Sequence, residues 1–386
     1  MYLHQRLAVL MVVSSCLFAQ TGSTANQATP NEEPPGATEL NNRGVTEARA
    51  GRFKEGAALL RLALTRDPAD TLTRQNLSGV LTDWARQLEQ QGHVDEAIAT
   101  LREAVEHNPE NGLAVVRLGD LFYLKRSDMS WAIRYWQQAH GKVSASLWQA
   151  VANRLTAAQR DQLIERGFTA SQTAHFDIRF QASRDVNLVT LQQVLEETYA
   201  QLSQQLGRSP SRVTVIVYTD QDLRRVYDQR DWALGLYDGR IRLRLDELTQ
   251  PYLQDMVAHE LAHAFLQHGY GDRLPIWVHE GFAQLQERTR PQSPEAERIA
   301  RGVASRTMWI PLKWLDRHFE QPSSTEDVAR AYLEARLVVD ELMRRYGIKH
   351  FKAFLEQLSG GTGVGEAYDQ AFAPSRWSKT DQGIFE

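Results

Sequence analysis

The sequence predicts an all-α repeat domain followed by an α+β domain. Two observations carry this. Between Leu40 and Ala139, small and apolar residues recur in a helix-pair pattern punctuated by Pro68 and Pro109. From His175 onward, short β-branched stretches alternate apolar with polar residues, and segments of helical periodicity separate and follow them. The bulk composition fits two or three domains with real cores: 386 residues, 42% hydrophobic and 24% charged. A net charge of -4 with no basic block gives no footing for a nucleic-acid partner. The expected divisions are a leader over 1–20, a linker over 21–38, repeats over 39–142, a helical connector over 143–170 and the second domain over 171–386.

The leader "MYLHQRLAVLMVVSSCLFAQTG" has a short basic start, an apolar run from Leu7 to Ala19, then small and polar residues. That is the pattern of a secretory signal peptide, and the run is short for a membrane span. It predicts export, to a periplasmic or extracellular location. Cys16, the single cysteine, sits inside the segment. "VSSC" resembles the lipobox of bacterial lipoproteins, which implies a membrane anchor if Cys16 is lipidated. The apolar "LFA" beyond it fits cleavage near Ala19 and a soluble exported form. Either way the mature chain keeps no thiol, so any metal site must use His, Asp and Glu. The polar, Pro-containing stretch that follows reads as linker.

In the repeat region, "WARQLEQQGHVDEAIATLREAVEHNPEN" places small Ala85 where two helices approach. Ala97 and Ala104 pack in the second helix, Leu101 fills between them, and Pro109 stops it. This stretch resembles a tetratricopeptide repeat. An earlier copy carries Gly44, Phe53, Gly56, Leu60, Ala63 and Pro68, and a later one Gly119, Phe122, Ala132, Trp136 and Ala139. Three repeats result, and the long interval from Gly44 to Ala85 predicts an extended connection after the first. The resemblance implies a concave surface for a peptide or a partner protein.

Beyond the connector, "HFDIRF" (175–180) and "RVTVIVYTD" (212–220) read as strands, with a helix over "VNLVTLQQVLEETYAQLSQQLG" between them. "GLYDGRIRLRLDEL" alternates Ile241, Leu243 and Leu245 with Arg240, Arg242 and Arg244. It reads as a strand with one apolar face and one solvated, charged face.

"LQDMVAHELAHAFLQH" has helical spacing and neither Pro nor Gly. Residues four apart share a helix face, so His259 and His263 can point at one ion, with Glu260 beside them. The spacing suits zinc. His268 falls five residues after His263, and Leu266 and Gly269 occupy the places where a metzincin has glycine and histidine. His268 therefore reads as a helix-end residue facing the last carbonyls. The remaining source of a third ligand is "LPIWVHEGFAQLQER", a helix with Pro275 in its first turn. Glu280 sits there in an apolar frame, where a carboxylate needs a partner. It completes a His₂Glu set with a fourth position left for water.

His-Glu-x-x-His followed by Trp-apolar-x-Glu-Gly-Phe-Ala resembles the gluzincin clan of metallopeptidases, in particular the peptidase MA-like domains often joined to tetratricopeptide repeats. The similarity is clear over about Gln254 to Arg288. It implies a thermolysin-like fold, one Zn²⁺ held by His259, His263 and Glu280, and Glu260 as general base. No Gly-x-Met-Glu-Asn segment occurs upstream, so an aminopeptidase's hold on a substrate amino terminus is not implied. His279 stands where aminopeptidase N-type enzymes have Asn. Gln284 stands where thermolysin-like enzymes place a carboxylate that orients a zinc histidine, and its amide oxygen can accept a ring N–H. Solvent-facing Gln284 is the alternative.

The chemistry this implies is peptide hydrolysis. A zinc ion brings the pKa of its water to ~7 and polarises the scissile carbonyl. Glu260 takes the proton and hands it to the leaving amine. The oxyanion needs a further donor, and the resemblance points to a Tyr or His on a later helix. Tyr332, in the helical run from Val328 to Tyr346, fits, with His318 and Arg336 as alternatives. A strand beside the zinc helix commonly pairs with extended substrate, which would set Gly235 to Leu245 at the cleft. The expected function is an exported zinc metallopeptidase whose repeats recruit a protein or peptide. The alternative is a non-catalytic binding module with the zinc domain as scaffold, and a third option is hydrolysis of a non-peptide amide such as a cell-wall cross-link.

Overall fold

In the computed structural model the described residues are 35–372, except 127, 182–186, 228–234, 245–251, 272, 288–297, 299–309 and 322. The expected leader, Cys16 and most of the expected linker lie outside them. No helix among the described residues is long and apolar enough to cross a membrane. The chain divides into two compact units at Leu163–Ile164, inside the segment expected to be a connector.

Among the described residues, the first unit is helical. Three antiparallel pairs follow one another: α1 (Ala37–Arg49) with α2 (Phe53–Arg66), α3 (Thr71–Gln90) with α4 (Val94–His107), and α5 (Gly112–Leu124) with α6 (Met129–Gln138). The expected small residues sit at the crossings. A Cβ on Gly44 would come within 2.9 Å of the Gly56 carbonyl oxygen, and one on Gly119 within 2.4 Å of the Trp136 indole. Ala85, Ala97, Leu101 and Ala104 are buried together. The extra spacing after the first pair is not an extended connection. It lies in α3, a 20-residue helix against 13 residues in α1 and α5, while only Asp67 to Asp70 link α2 to α3. Asp70 stops the preceding turn and caps α3 by accepting from the Leu72 and Thr73 amides. Buried polar groups tie successive pairs: Asn111 donates to Ser78 and Thr82, and Ser78 donates to the Ala104 carbonyl. The connector forms α7 (Ala145–Ile164), which buries Leu147, Val151 and Ala158 in the repeat core.

The second unit has one mixed sheet and helices. Its strands are β1 (Thr169–Gln172), β2 (Phe176–Phe180), β3 (Val213–Tyr218), β4 (Gly235–Tyr237) and β5 (Ile241–Arg244), in the order β1-β2-β3-β5-β4. β2, β3 and β5 run parallel, and β1 and β4 lie antiparallel at the two edges. β3 is paired on both sides and buried at all six positions, which is why it reads as a near-continuous apolar run. Val213, Val215, Val217, Ile241 and Leu243 face the main core with α8 (Leu188–Leu206) and the helices that follow. Ile216 and Tyr218 face the other way and pack with Phe168 and with Leu223 and Val226 of α9 (Asp220–Tyr227).

That second face corrects one expectation. Arg240 and Arg242 are not solvated. Both are buried, because the far side of the sheet is covered rather than open to water. Arg240 donates to both Glu165 oxygens at 3.0 and 3.2 Å. Arg242 donates to Asp238 at 2.9 Å and to the Tyr218 hydroxyl at 2.7 Å, and that hydroxyl donates to Glu165. The buried guanidiniums hold the Asp238 carboxyl below its usual range against the opposing effect of burial. A second correction concerns the cleft edge. β5 is interior, and of the two strands in this segment only β4 lies at an edge of the sheet. The turn between them passes through Gly239 at φ 99°, a conformation that favours glycine.

The remaining helices among the described residues are α10 (Tyr252–Tyr270), α11 (Ile276–Gln286), α12 (Leu312–Glu320), α13 (Thr325–Ser359, broken at Gly347) and α14 (Val364–Phe372). α10 packs on α8, on β4 and on α11, and α11 packs along α13.

Candidate metal centre

α10 carries apolar residues almost all round, as expected of a helix enclosed by neighbours. Val257, Leu261, Ala262, Phe265 and Leu266 are fully or nearly fully buried. It ends at Gly271, whose φ of 74° and amide bond to the Gln267 carbonyl close the last turn. His268 is in that last turn, as expected. Against this frame stand the polar side chains of His259, Glu260 and His263. Glu260 and His263 are buried and His259 is nearly so.

α11 supplies the rest. Pro275 precedes its first residue, and its N-terminal Trp277 amide donates to Asp316 of α12 at 3.0 Å, so a neighbouring helix provides the cap that Pro275 cannot. One turn further in, Glu280 has 0% exposure. The next residue, Gly281, has no side chain, and that lets α11 lie directly on α13.

The two helices bring His259, His263 and Glu280 together. One ligand atom from each lies within 4.8 Å of the others. Glu280 Oε2 is 3.5 Å from His259 Nε2 and 3.7 Å from His263 Nε2. The imidazoles meet edge to face with centroids 4.9 Å apart. Ligands bonded to zinc at ~2.0–2.1 Å in a tetrahedron stand about 3.4 Å from one another. The two distances to Glu280 and the donor types, two imidazole nitrogens and one carboxylate oxygen, therefore fit a zinc ion.

The second nitrogen of His259 also has a carboxylate. Nδ1 lies 2.7 Å from Glu287 Oε1. Burial alone would depress the His259 pKa, but Glu280 and Glu287 outweigh it with help from Glu260 and hold it well above the usual histidine value. Gln284, the residue expected to orient a ring, is not the one bonded here. Glu287 lies two turns beyond Glu280 on the same stripe of α11, at the point where the helix ends and the backbone turns extended. That heptad spacing was the available signal in the sequence. His279 stacks on His263, with centroids 5.7 Å apart.

The expected oxyanion donors lie on α12 and α13. Tyr332 is half-buried on α13, one turn before Ala335, which touches Gly281, and its ring meets Phe319 edge to face at 5.0 Å. His318 is engaged elsewhere: its Nδ1 is 2.7 Å from Asp327, within a cluster that also binds Ser323 and Arg330 at the start of α13. Arg336 follows Ala335 directly and is partly exposed.

A family model for the tetratricopeptide repeat matches residues 78–121. The match runs from within α3 through α4 and most of α5, in agreement with the helix pairs. No curated protein matches the chain.

Proposed function

We propose that the second unit is a zinc-dependent peptidase domain of gluzincin type, with a thermolysin-like arrangement, and that the repeat unit recruits a protein or peptide. The observation that carries this is the convergence of His259, His263 and Glu280 from two helices on one point, with the base of the His-Glu-x-x-His motif buried beside it. His259, His263 and Glu280 would hold the ion. When bound, zinc supplies Lewis acidity to a substrate carbonyl and an acidified water.

The side chains supply the remainder. Glu260 accepts the proton of the attacking water and passes it to the nitrogen of the departing amine. The hydroxyl of Tyr332 donates to the developing oxyanion. β4, antiparallel at the sheet edge and packed beside α10, offers main-chain groups to an extended substrate. For the repeats, the tetratricopeptide match favours a protein partner, since such repeats commonly mediate protein contacts. The signal-peptide pattern of residues 1–20 supports export.

The test pairs metal content with cleavage of a peptide library by the full mature chain. One zinc per chain is expected, with hydrolysis that disappears in Glu260→Gln while zinc is retained. Stoichiometric zinc with no cleavage of any peptide or of casein would instead support the scaffold reading, in which only the repeats act.

A further inference from the structure

We propose that Glu287 is the positioning residue of this metal centre: its carboxylate fixes the tautomer and orientation of His259, the task expected of position 284. This rests on the zinc reading of the triad and extends it to a residue outside the motif.

The argument starts from the imidazole. A neutral ring that ligates through Nε2 must carry its proton on Nδ1. His259 presents Nε2 to the point shared with Glu280 and Nδ1 to Glu287, at 3.5 and 2.7 Å respectively. The ring is thus held between two carboxylates at opposite ends. A carboxylate accepting the Nδ1 proton favours this tautomer and makes Nε2 a better donor to a metal. The bond is short and charge-assisted, which an amide oxygen from Gln284 would not match.

Glu287 remains partly exposed at the edge of the site. Placement follows from the helix: Glu287 is the C-cap of α11, seven residues after Glu280, so its side chain leaves from the same side before the backbone turns extended at ψ 134°.

The test is zinc affinity by chelator competition on the full mature chain, comparing wild type with Glu287→Gln, Glu287→Asp and Gln284→Ala. Glu287→Gln should bind zinc about 10- to 100-fold more weakly. Glu287→Asp, one methylene shorter, should lie between it and wild type, and Gln284→Ala should match wild type. Replacing zinc with Co²⁺ adds a signature that a merely structural role would not move: the visible absorption of the bound cobalt should shift in Glu287→Gln and stay unchanged in Gln284→Ala. Wild-type affinity in Glu287→Gln, or loss in Gln284→Ala instead, overturns the assignment. If Glu287→Gln does not fold, full affinity in Glu287→Asp together with an unshifted cobalt spectrum overturns it equally. A wild-type chain that binds no zinc removes the triad reading itself, a result distinct from any difference among the variants.

Discussion

Gly281 of α11 lies against the backbone of Ala335 in α13, so closely that a Cβ on Gly281 would stand 2.3 Å from the Ala335 carbonyl oxygen. The adjacent residue is Glu280. The depth to which α11 sinks onto α13 therefore fixes where that carboxylate stands relative to His259 and His263. Gly281→Ala should push the helices apart, because the obstruction is backbone and cannot rotate away. The expected cost is about 1–3 kcal/mol of stability, as for other overpacked sites. Weakened zinc binding should accompany it. Thermal unfolding with and without zinc checks both, and a Gly281→Ala chain with wild-type stability and affinity would refute the placement.

Tyr332 tests the oxyanion assignment. Phenylalanine keeps the edge-to-face contact with Phe319 but removes the hydroxyl. If Tyr332 donates in the transition state, Tyr332→Phe should lower kcat by about 10²–10³ with KM little changed. Unchanged kcat would assign the hydroxyl to packing and return attention to Arg336.

Glu165 is the counter-charge for the arginines behind the sheet. Removing it leaves Arg240 buried without its bidentate carboxylate partner and strips Tyr218 of its acceptor. Glu165→Ala should destabilise the second unit by roughly 3–5 kcal/mol, the cost of breaking a buried ion pair from one side. Denaturant unfolding of the full chain measures this. A loss below about 1 kcal/mol would mean the arginines find other partners.

Glu334 makes stability depend on pH. Burial raises its pKa from 4.5 to about 7, although the Ile310 amide donates to it at 2.6 Å and Arg330 lies nearby. The folded value exceeds the unfolded one, so the native state holds a proton that the unfolded chain releases. Stability from this group is full below pH 4.5 and falls as pH rises toward 7. The change should be on the order of 1–3 kcal/mol. Glu334→Gln should flatten that slope between pH 4.5 and 7, as read from urea midpoints. An equal slope in wild type and variant would place the ionisation elsewhere.

Local patterns in the sequence determined a good deal of this protein. Helical periodicity placed α3, α4, α8, α10 and α13, because each buries a stripe that recurs along the chain at the helical repeat. β-Branched alternation placed β2 and β3. Spacing four apart put His259 and His263 on one face, a consequence of helix geometry alone. Tertiary structure decided the rest, because those features depend on what covers a surface. The alternation of "RIRLR" is the same whether its charged face meets water or a buried carboxylate, and only the packing behind the sheet buried Arg240 and Arg242 against Glu165 and Asp238. β1 and the edge strand β4 are too short to carry a period, so pairing defined them. Heptad spacing put Glu287 on the Glu280 side of α11, but the choice of Glu287 over Gln284 turned on the crossing of α11 with α10, a relation between two helices that neither segment encodes by itself.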